Sequence, residues 1–206
     1  GEREELISPL TSRFKGNFKL VNYEVKEYSH AVKLLDDVVR TYGKLDIIVN
    51  LHDTFWRKRI TCSPPNKLDE IYTKDLKTMY NVCKAAISYM SEGGNIVNVI
   101  SIHGIIGIPQ TIEYSTIKSA IVGFTKSLAS ELSNYNINCN TIILGITDEI
   151  ASQSPKGFLK ELQPKVLEAK IIEAHEVVNI IKFLVSTSSI TGQTIIVDRG
   201  LTTFLI

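Results

Sequence analysis

GGNIVNVISIHGIIGIPQTIEYSTIKSAIVGFTKSLASEL, residues Gly93–Leu132, decides the fold. Gly93 and Gly94 break the pattern before them, and Asn95–Ser101 follows as a short apolar run of strand length. Ile105–Thr111, with Gly107 and Pro109, reads as a loop. From Glu113 to Leu132, the residues Ile117, Ala120, Ile121, Phe124, Leu128 and Leu132 recur at helical spacing and form a buried stripe.

The same alternation extends in both directions. Downstream, Ile137–Leu144 reads as a strand and Gly145–Ile172 as an irregular stretch with a short helix near Lys156–Leu162. Ala174–Val185 reads as a helix and Gln193–Asp198 as the last strand. Upstream, Leu68–Met90 reads as a long helix, and Thr54–Asn66 as a loop broken at Ser63-Pro64-Pro65-Asn66. Leu45–Leu51 (LDIIVNL) is nearly all apolar, the mark of a strand covered on both faces. Ser29–Tyr42 is a helix with Ala31, Leu34, Leu35, Val38 and Tyr42 on one face, and Gly43 stands just past its end. Phe18–Val25 reads as a strand. Alternating strands and helices predict an α/β fold: a doubly wound, Rossmann-like parallel sheet with helices on both faces. Ligands of such sheets bind beyond the carboxyl ends of the strands.

Composition fits one such domain. The 206 residues are 44% hydrophobic and 22% charged, with a formal net charge of +1, so there is no electrostatic case for a nucleic-acid partner or a membrane surface. The basic cluster Arg57, Lys58, Arg59 reads as a solvated loop. Cys62, Cys83 and Cys139 form neither a disulfide framework nor a CxxC pair, which fits a reducing cytoplasm. His30, His52, His103 and His175 lack metal-ligand spacing, so no metal site is expected. No apolar run reaches the ~20 residues of a membrane span, and Gly1–Leu6 has no signal-peptide character.

Ser101, Tyr114 and Lys118 carry the chemistry. Tyr114 and Lys118 are four residues apart on a helix, so their side chains lie on one face. Ser101 ends the preceding strand. A phenol with its ordinary pKa near ~10 is a poor acid at neutral pH, and a nearby ammonium corrects that by stabilising phenolate. A serine hydroxyl can hold a carbonyl oxygen against the phenol. A Tyr-x-x-x-Lys pair alone is weak evidence, since it also occurs in ordinary helices.

The context around that pair resembles the short-chain dehydrogenase/reductase family. Gly93–Leu132 is similar to the family's central segment, with the same Ser–Tyr and Tyr–Lys intervals. ITGQTIIVDRG (Ile190–Gly200) resembles its closing strand, and YGKLDIIVN (Tyr42–Asn50) the approach to its Asn-Asn-Ala-Gly motif. The nearest likeness within the family is to acyl-chain ketoreductases and broad alcohol dehydrogenases. The resemblance implies hydride transfer between NAD or NADP and an alcohol or carbonyl substrate. Tyr114 would be the acid/base, and Lys118 would lower its pKa and hold the nicotinamide ribose. Ser101 would position the substrate oxygen. It also implies a homodimer or homotetramer, with Leu68–Met90 and Glu113–Leu132 at the interfaces. Trp56, Ile105 and Phe158 would give the substrate pocket an apolar lining.

Four departures concern the cofactor side. The family opens with a strand, a glycine-rich turn and a helix whose N-terminus faces the pyrophosphate, and no such stretch precedes Phe18. The resemblance therefore implies either preceding residues that complete the sheet or a rearranged region. Asn-Asn-Ala-Gly reads Asn50-Leu51-His52-Asp53, so Asn50 is kept and the glycine becomes Asp53. After the next strand stand Gly145, Ile146, Thr147, Asp148 and Glu149, with Glu149 where a threonine usually touches the cofactor phosphates. The asparagine of the proton relay aligns with Asp75. Glu24 stands where an acidic residue commonly contacts adenine. The residues expected at the cofactor are thus Glu24, Asn50, Tyr114, Lys118, Gly145 and Thr147, and those expected in catalysis are Ser101, Tyr114, Lys118 and Asp75. The alternative is a non-catalytic family member, an interaction or scaffold subunit with a degraded cofactor site.

Overall fold

A computed structural model describes residues 19–147 and 171–205. Four parallel strands form one sheet in the order β1 (Ile47–Asn50), β2 (Gly94–Ser101), β3 (Ile137–Leu144) and β4 (Thr194–Val197). β2 and β3 pair along their whole length, from Gly94 opposite Ile137 to Ser101 opposite Leu144. Both are central strands, and this explains their nearly unbroken apolar sequences: each face needs its own cover.

Strand alternation divides that cover in two. Ile96 and Ile100 of β2 pack into one core cluster with Met79 and Cys83 of α3 (Thr78–Ala86) and Ile121 and Leu128 of α4 (Ile112–Glu131). Val97 and Val99 point the other way and pack with Leu184, Ile180 and Ile181 of α5 (Ala174–Val185). Helices therefore cover both faces, as the sequence pattern predicts. Burial of one such isoleucine stabilises the fold by roughly 1.5–3 kcal/mol. Ile96→Ala at the centre of β2 would cost about 2–5 kcal/mol once its cavity is included.

The remaining helices are positioned by local signals. α1 (Tyr28–Tyr42) buries Ala31 and Leu35 and ends at Gly43, whose φ of 85° is easily adopted only without a side chain. The Lys67–Tyr89 run is continuous but not uniform. α2 (Lys67–Ile71) passes into a π-helical stretch, Tyr72–Lys77, before α3. Thr78 Oγ1 supports that widening, lying 3.0 Å from Thr73 O and 2.9 Å from Val25 O. The π turn carries Asp75, which is buried. A short helix, α6 (Leu201–Leu205), closes the described chain.

Three expectations need correction. Residues 19–25, the described part of the predicted Phe18–Val25 strand, form no strand. No neighbouring strand lies alongside them among the described residues, so their carbonyls turn to side chains: Val25 O accepts from Thr78, and Lys26 O just beyond accepts from Asn81. β1 is covered fully on one face and only partly on the other: Ile48 and Asn50 are buried, Val49 is half-buried against the Val97 and Leu184 cluster, and Ile47 is exposed, because among the described residues β1 edges the sheet. Ala120 in α4 is exposed, and Phe124 is only half-buried. The helix expected near Lys156–Leu162 and the residues Phe158, Asp148 and Glu149 lie outside the described residues.

Candidate active site

The site forms where β1 and β2 end and α4 begins. β2 delivers Ser101 at its last residue, and the first turns of α4 deliver Tyr114 and Lys118. The loop after β1 adds His52 and Asp53, and the π turn adds Asp75. His52, Asp53, Asp75 and Tyr114 converge on Lys118, and Ser101 joins them through Tyr114.

The Lys118 ammonium is fully buried and held by three oxygens. It donates to His52 O at 2.8 Å and to Asp75 Oδ2 at 2.9 Å, and it lies 2.9 Å from Asp53 Oδ1. Asp75 is 1% exposed and also accepts from Thr54 N at 3.0 Å and Thr54 Oγ1 at 2.6 Å. The Lys118–Asp75 pair is thus satisfied on both sides, which a buried ion pair requires.

Tyr114 is buried as well, and its hydroxyl donates to Asp53 Oδ1 at 2.6 Å. Burial pushes the phenol well above its usual pKa, and the charge and hydrogen bond of Asp53 push the same way. Ser101 is a hydrogen-bond partner of the phenol that pulls it down. The Lys118 ammonium stands 5.1 Å from the Tyr114 ring centre. Tyr114 is therefore a protonated phenol rather than a phenolate and, while Asp53 holds its proton, a weaker acid than a free one: burial and Asp53 outweigh the lowering expected from Lys118.

Ser101 Oγ also lies 2.8 Å from His103 Nδ1. His103 packs edge-on against Tyr114 at 5.1 Å between ring centres, and Phe55 contacts both rings. Burial lowers the His103 pKa to about 4, with Arg57 and Lys118 adding to the effect against the pull of Asp53. The imidazole is thus neutral at ordinary pH and can take either role toward Ser101.

Two cavities flank the 51–53 loop. One, of about 460 Å³, is lined by Leu51, Val99, Leu144, Ile172 and Val178, with Ser101 and Asp53 at its polar end. The other, of about 570 Å³, is lined by Glu24, Tyr23, His52, Asp69, Lys74 and Thr78. The first, beside the acid/base groups, is lined mainly by apolar residues, and the second mainly by polar and charged residues, though their aliphatic parts contribute much of its wall.

The sequence-predicted residues divide accordingly. Ser101, Tyr114, Lys118 and Asp75 come together. Glu24 lines the polar cavity but is exposed and paired with Lys26 at 3.0 Å. Thr147 lines the apolar cavity and bridges to Ile172. Asn50 is turned into the core, where its amide donates to Asn98 Oδ1 at 2.8 Å and reaches Cys83 Sγ at 3.4 Å. Asn98 in turn donates to Thr125, completing a buried polar chain. Gly145 is pressed against β4, since a Cβ there would come within 2.8 Å of Asp198 Cα. Asp53 and His103 are the residues that the sequence reading missed as partners of the triad. Among the described residues, no group of three or more His, Cys, Asp and Glu residues could hold a metal ion, and no helix is long and apolar enough to cross a membrane.

Known proteins resemble this chain in sequence and in fold. The family model described as enoyl-(acyl carrier protein) reductase matches residues 1–202. A 3-oxoacyl-(acyl-carrier-protein) reductase of Thermotoga maritima is 30% identical over 174 residues, covering 82% of this chain and 71% of the relative. Among solved structures, ElxO with NADP bound superposes with a TM-score of 0.87 at 24% identity, over 98% of this chain and 85% of its own. Sorbitol-6-phosphate 2-dehydrogenase from Erwinia amylovora gives 0.88 at 22% identity, over 96% and 85%.

Proposed function

Because this chain belongs to the short-chain dehydrogenase/reductase family, we propose that it is an NAD(P)-dependent oxidoreductase acting on an alcohol or carbonyl substrate. The observation that carries this reading is the convergence of Ser101, Tyr114 and Lys118 beside the apolar cavity. Relatives named as a ketoacyl reductase and a sugar-phosphate dehydrogenase, and a neighbour with NADP bound, support the same class of chemistry.

A nicotinamide cofactor, when bound, supplies or takes the hydride. The donors present fit its ribose, because one oxygen, Asp53 Oδ1, already meets both the Tyr114 hydroxyl and the Lys118 ammonium. A ribose hydroxyl offers the same kind of acceptor. Lys118 and Tyr114 would hold that ribose, and Glu24 in the polar cavity suits the adenosine end.

The protein's own part is proton transfer. Ser101 holds the substrate oxygen by its hydroxyl. The protonated Tyr114 gives its proton to that oxygen as it gains negative charge in reduction. Lys118 stabilises the phenolate left behind. Asp75 keeps the ammonium in place. The apolar walls Leu51, Val99, Leu144 and Val178 favour a substrate whose body is hydrophobic.

The interfaces of a homodimer or homotetramer fit the exposed stripe Leu68, Tyr72 and Tyr80, with Ile112 on α4. Tyr80 meets Phe124 at 5.9 Å between ring centres and so ties the two helices into one face.

The test is oxidation of NADH and NADPH against a panel of apolar ketones and aldehydes, with calorimetry for cofactor binding. Saturable turnover with either cofactor supports the reading. Absence of any cofactor binding sinks it. A second reading, a non-catalytic scaffold, is favoured by the hold of Asp53 on both Tyr114 and Lys118, and cofactor-dependent turnover would exclude it.

A further inference from the structure

We propose that Asp53 is an internal ligand of the Tyr114–Lys118 pair, which a nicotinamide ribose must displace, so that residue 53 sets the chain's affinity for its cofactor. This rests on the oxidoreductase reading above.

An ammonium has three N–H groups and a phenol has one O–H. Around Lys118 stand three oxygens at 2.8–2.9 Å, from His52, Asp75 and Asp53. The Tyr114 hydroxyl is committed to Asp53 at 2.6 Å. Lys118 donates to His52 and Asp75, and Asp53 closes its remaining side as an ion pair, so a further acceptor reaches neither group until Asp53 leaves.

The three oxygens are not equally free to go. His52 supplies a backbone carbonyl, fixed by the chain that follows β1. Asp75 is 1% exposed and bonded twice to Thr54, so its departure from Lys118 would strand a buried charge. The Asp53 side chain is 37% exposed at the rim of the apolar cavity. Rotation of its side chain puts the carboxylate in water, where it is solvated. Asp53 is therefore the partner that yields, and its departure releases the Tyr114 hydroxyl and uncovers the Lys118 charge together. Charge-assisted hydrogen bonds are among the stronger ones, so the exchange weakens cofactor binding relative to a chain without this carboxylate.

The experiment titrates NADH and NADPH into the wild-type protein and into Asp53→Gly, Asp53→Ala and Asp53→Asn, with Kd from calorimetry. The glycine and alanine variants are expected to bind the preferred cofactor about tenfold or more tightly, an exchange of ~1.4 kcal/mol. Asparagine, which keeps the size and one acceptor but loses the charge, is expected to fall between. A cofactor-free readout accompanies this. Alkaline ultraviolet titration of Asp53→Ala should show one tyrosine ionising at lower pH than in wild type. That difference should vanish in Asp53→Ala/Tyr114→Phe. Equal or weaker binding by folded Asp53→Ala, beside a wild type that does bind, overturns the proposal and leaves the oxidoreductase reading intact. No binding by any of the four proteins overturns both. Binding by Asp53→Ala and not by wild type supports the displacement in its strongest form.

Discussion

The Asp53 carboxylate and the Tyr114 phenol share a 2.6 Å hydrogen bond across a sequence separation of 61 residues. It places a half-exposed anion directly on the proposed acid of the reaction. Tyr114→Phe removes the proton donor and leaves Asp53 paired with Lys118. Turnover should fall by roughly 10²–10⁴. The lost neutral–charged hydrogen bond should cost stability about 1.5–3 kcal/mol, read as a shift in the urea midpoint. Turnover that survives the substitution would remove Tyr114 from the mechanism.

Lys118 is expected to matter to the fold as much as to the chemistry. Lys118→Met leaves the Asp75 carboxylate buried without its counter-ion, and the loss should be about 3–5 kcal/mol. Lys118→Met/Asp75→Asn should recover part of that loss, because the neutral amide can still accept from Thr54. Urea denaturation of the two variants checks this. A double variant no more stable than the single one would show that the ion pair is not what Lys118 contributes.

Much of this was legible in the sequence, for physical reasons. β2, β3, α4 and α5 stand where the apolar runs and stripes placed them, because central strands and their covering helices leave unmistakable hydrophobic patterns. Ser101, Tyr114 and Lys118 were legible because a strand end and one helix face are local features. Asp53 was legible only as a lost glycine. Its partnership with Tyr114 and Lys118 depends on how β1 and α4 pack, which no spacing reveals. His103 lies two residues past Ser101 in a short 3-10 turn that the Ser101 side chain caps, a local return that strand alternation does not describe. The π stretch that turns Asp75 inward leaves no periodicity of its own. Asn50 matched a cofactor motif, yet it pairs with Asn98, because two asparagines on adjacent strands satisfy each other inside an apolar core.

Gly145 separates a packing role from a cofactor role. Its position against Asp198 leaves 2.8 Å to Cα and 2.9 Å to Cβ for any added methyl group. Both contacts are closer than real Cβ atoms tolerate, and Asp198 is fixed by its hydrogen bonds to Gly200 and Thr202. Gly145→Ala should therefore destabilise by about 1–3 kcal/mol and lower the melting temperature in the absence of any cofactor. A variant with unchanged melting and weakened cofactor binding would restore the ligand-contact role instead.

His103 should make the fold acid-sensitive. Its unfolded-state pKa is the ordinary 6.5, and in the folded chain burial lowers it to about 4. Between these values the unfolded chain binds the extra proton and the folded chain does not, so stability falls as pH falls. The contribution is fully present above 6.5, is lost progressively below it, and is gone near 4. Its size is ~1–3 kcal/mol. Carboxyl groups in general titrate toward the acid end, so the comparison must be differential. His103→Gln keeps a group able to hydrogen-bond Ser101 and removes the titration. Urea denaturation of both proteins across this window should show wild type losing stability faster than the variant between 6.5 and about 4. Parallel pH profiles would mean that His103 is hydrated enough to protonate in place, and the neutral imidazole assigned to Ser101 would then be wrong.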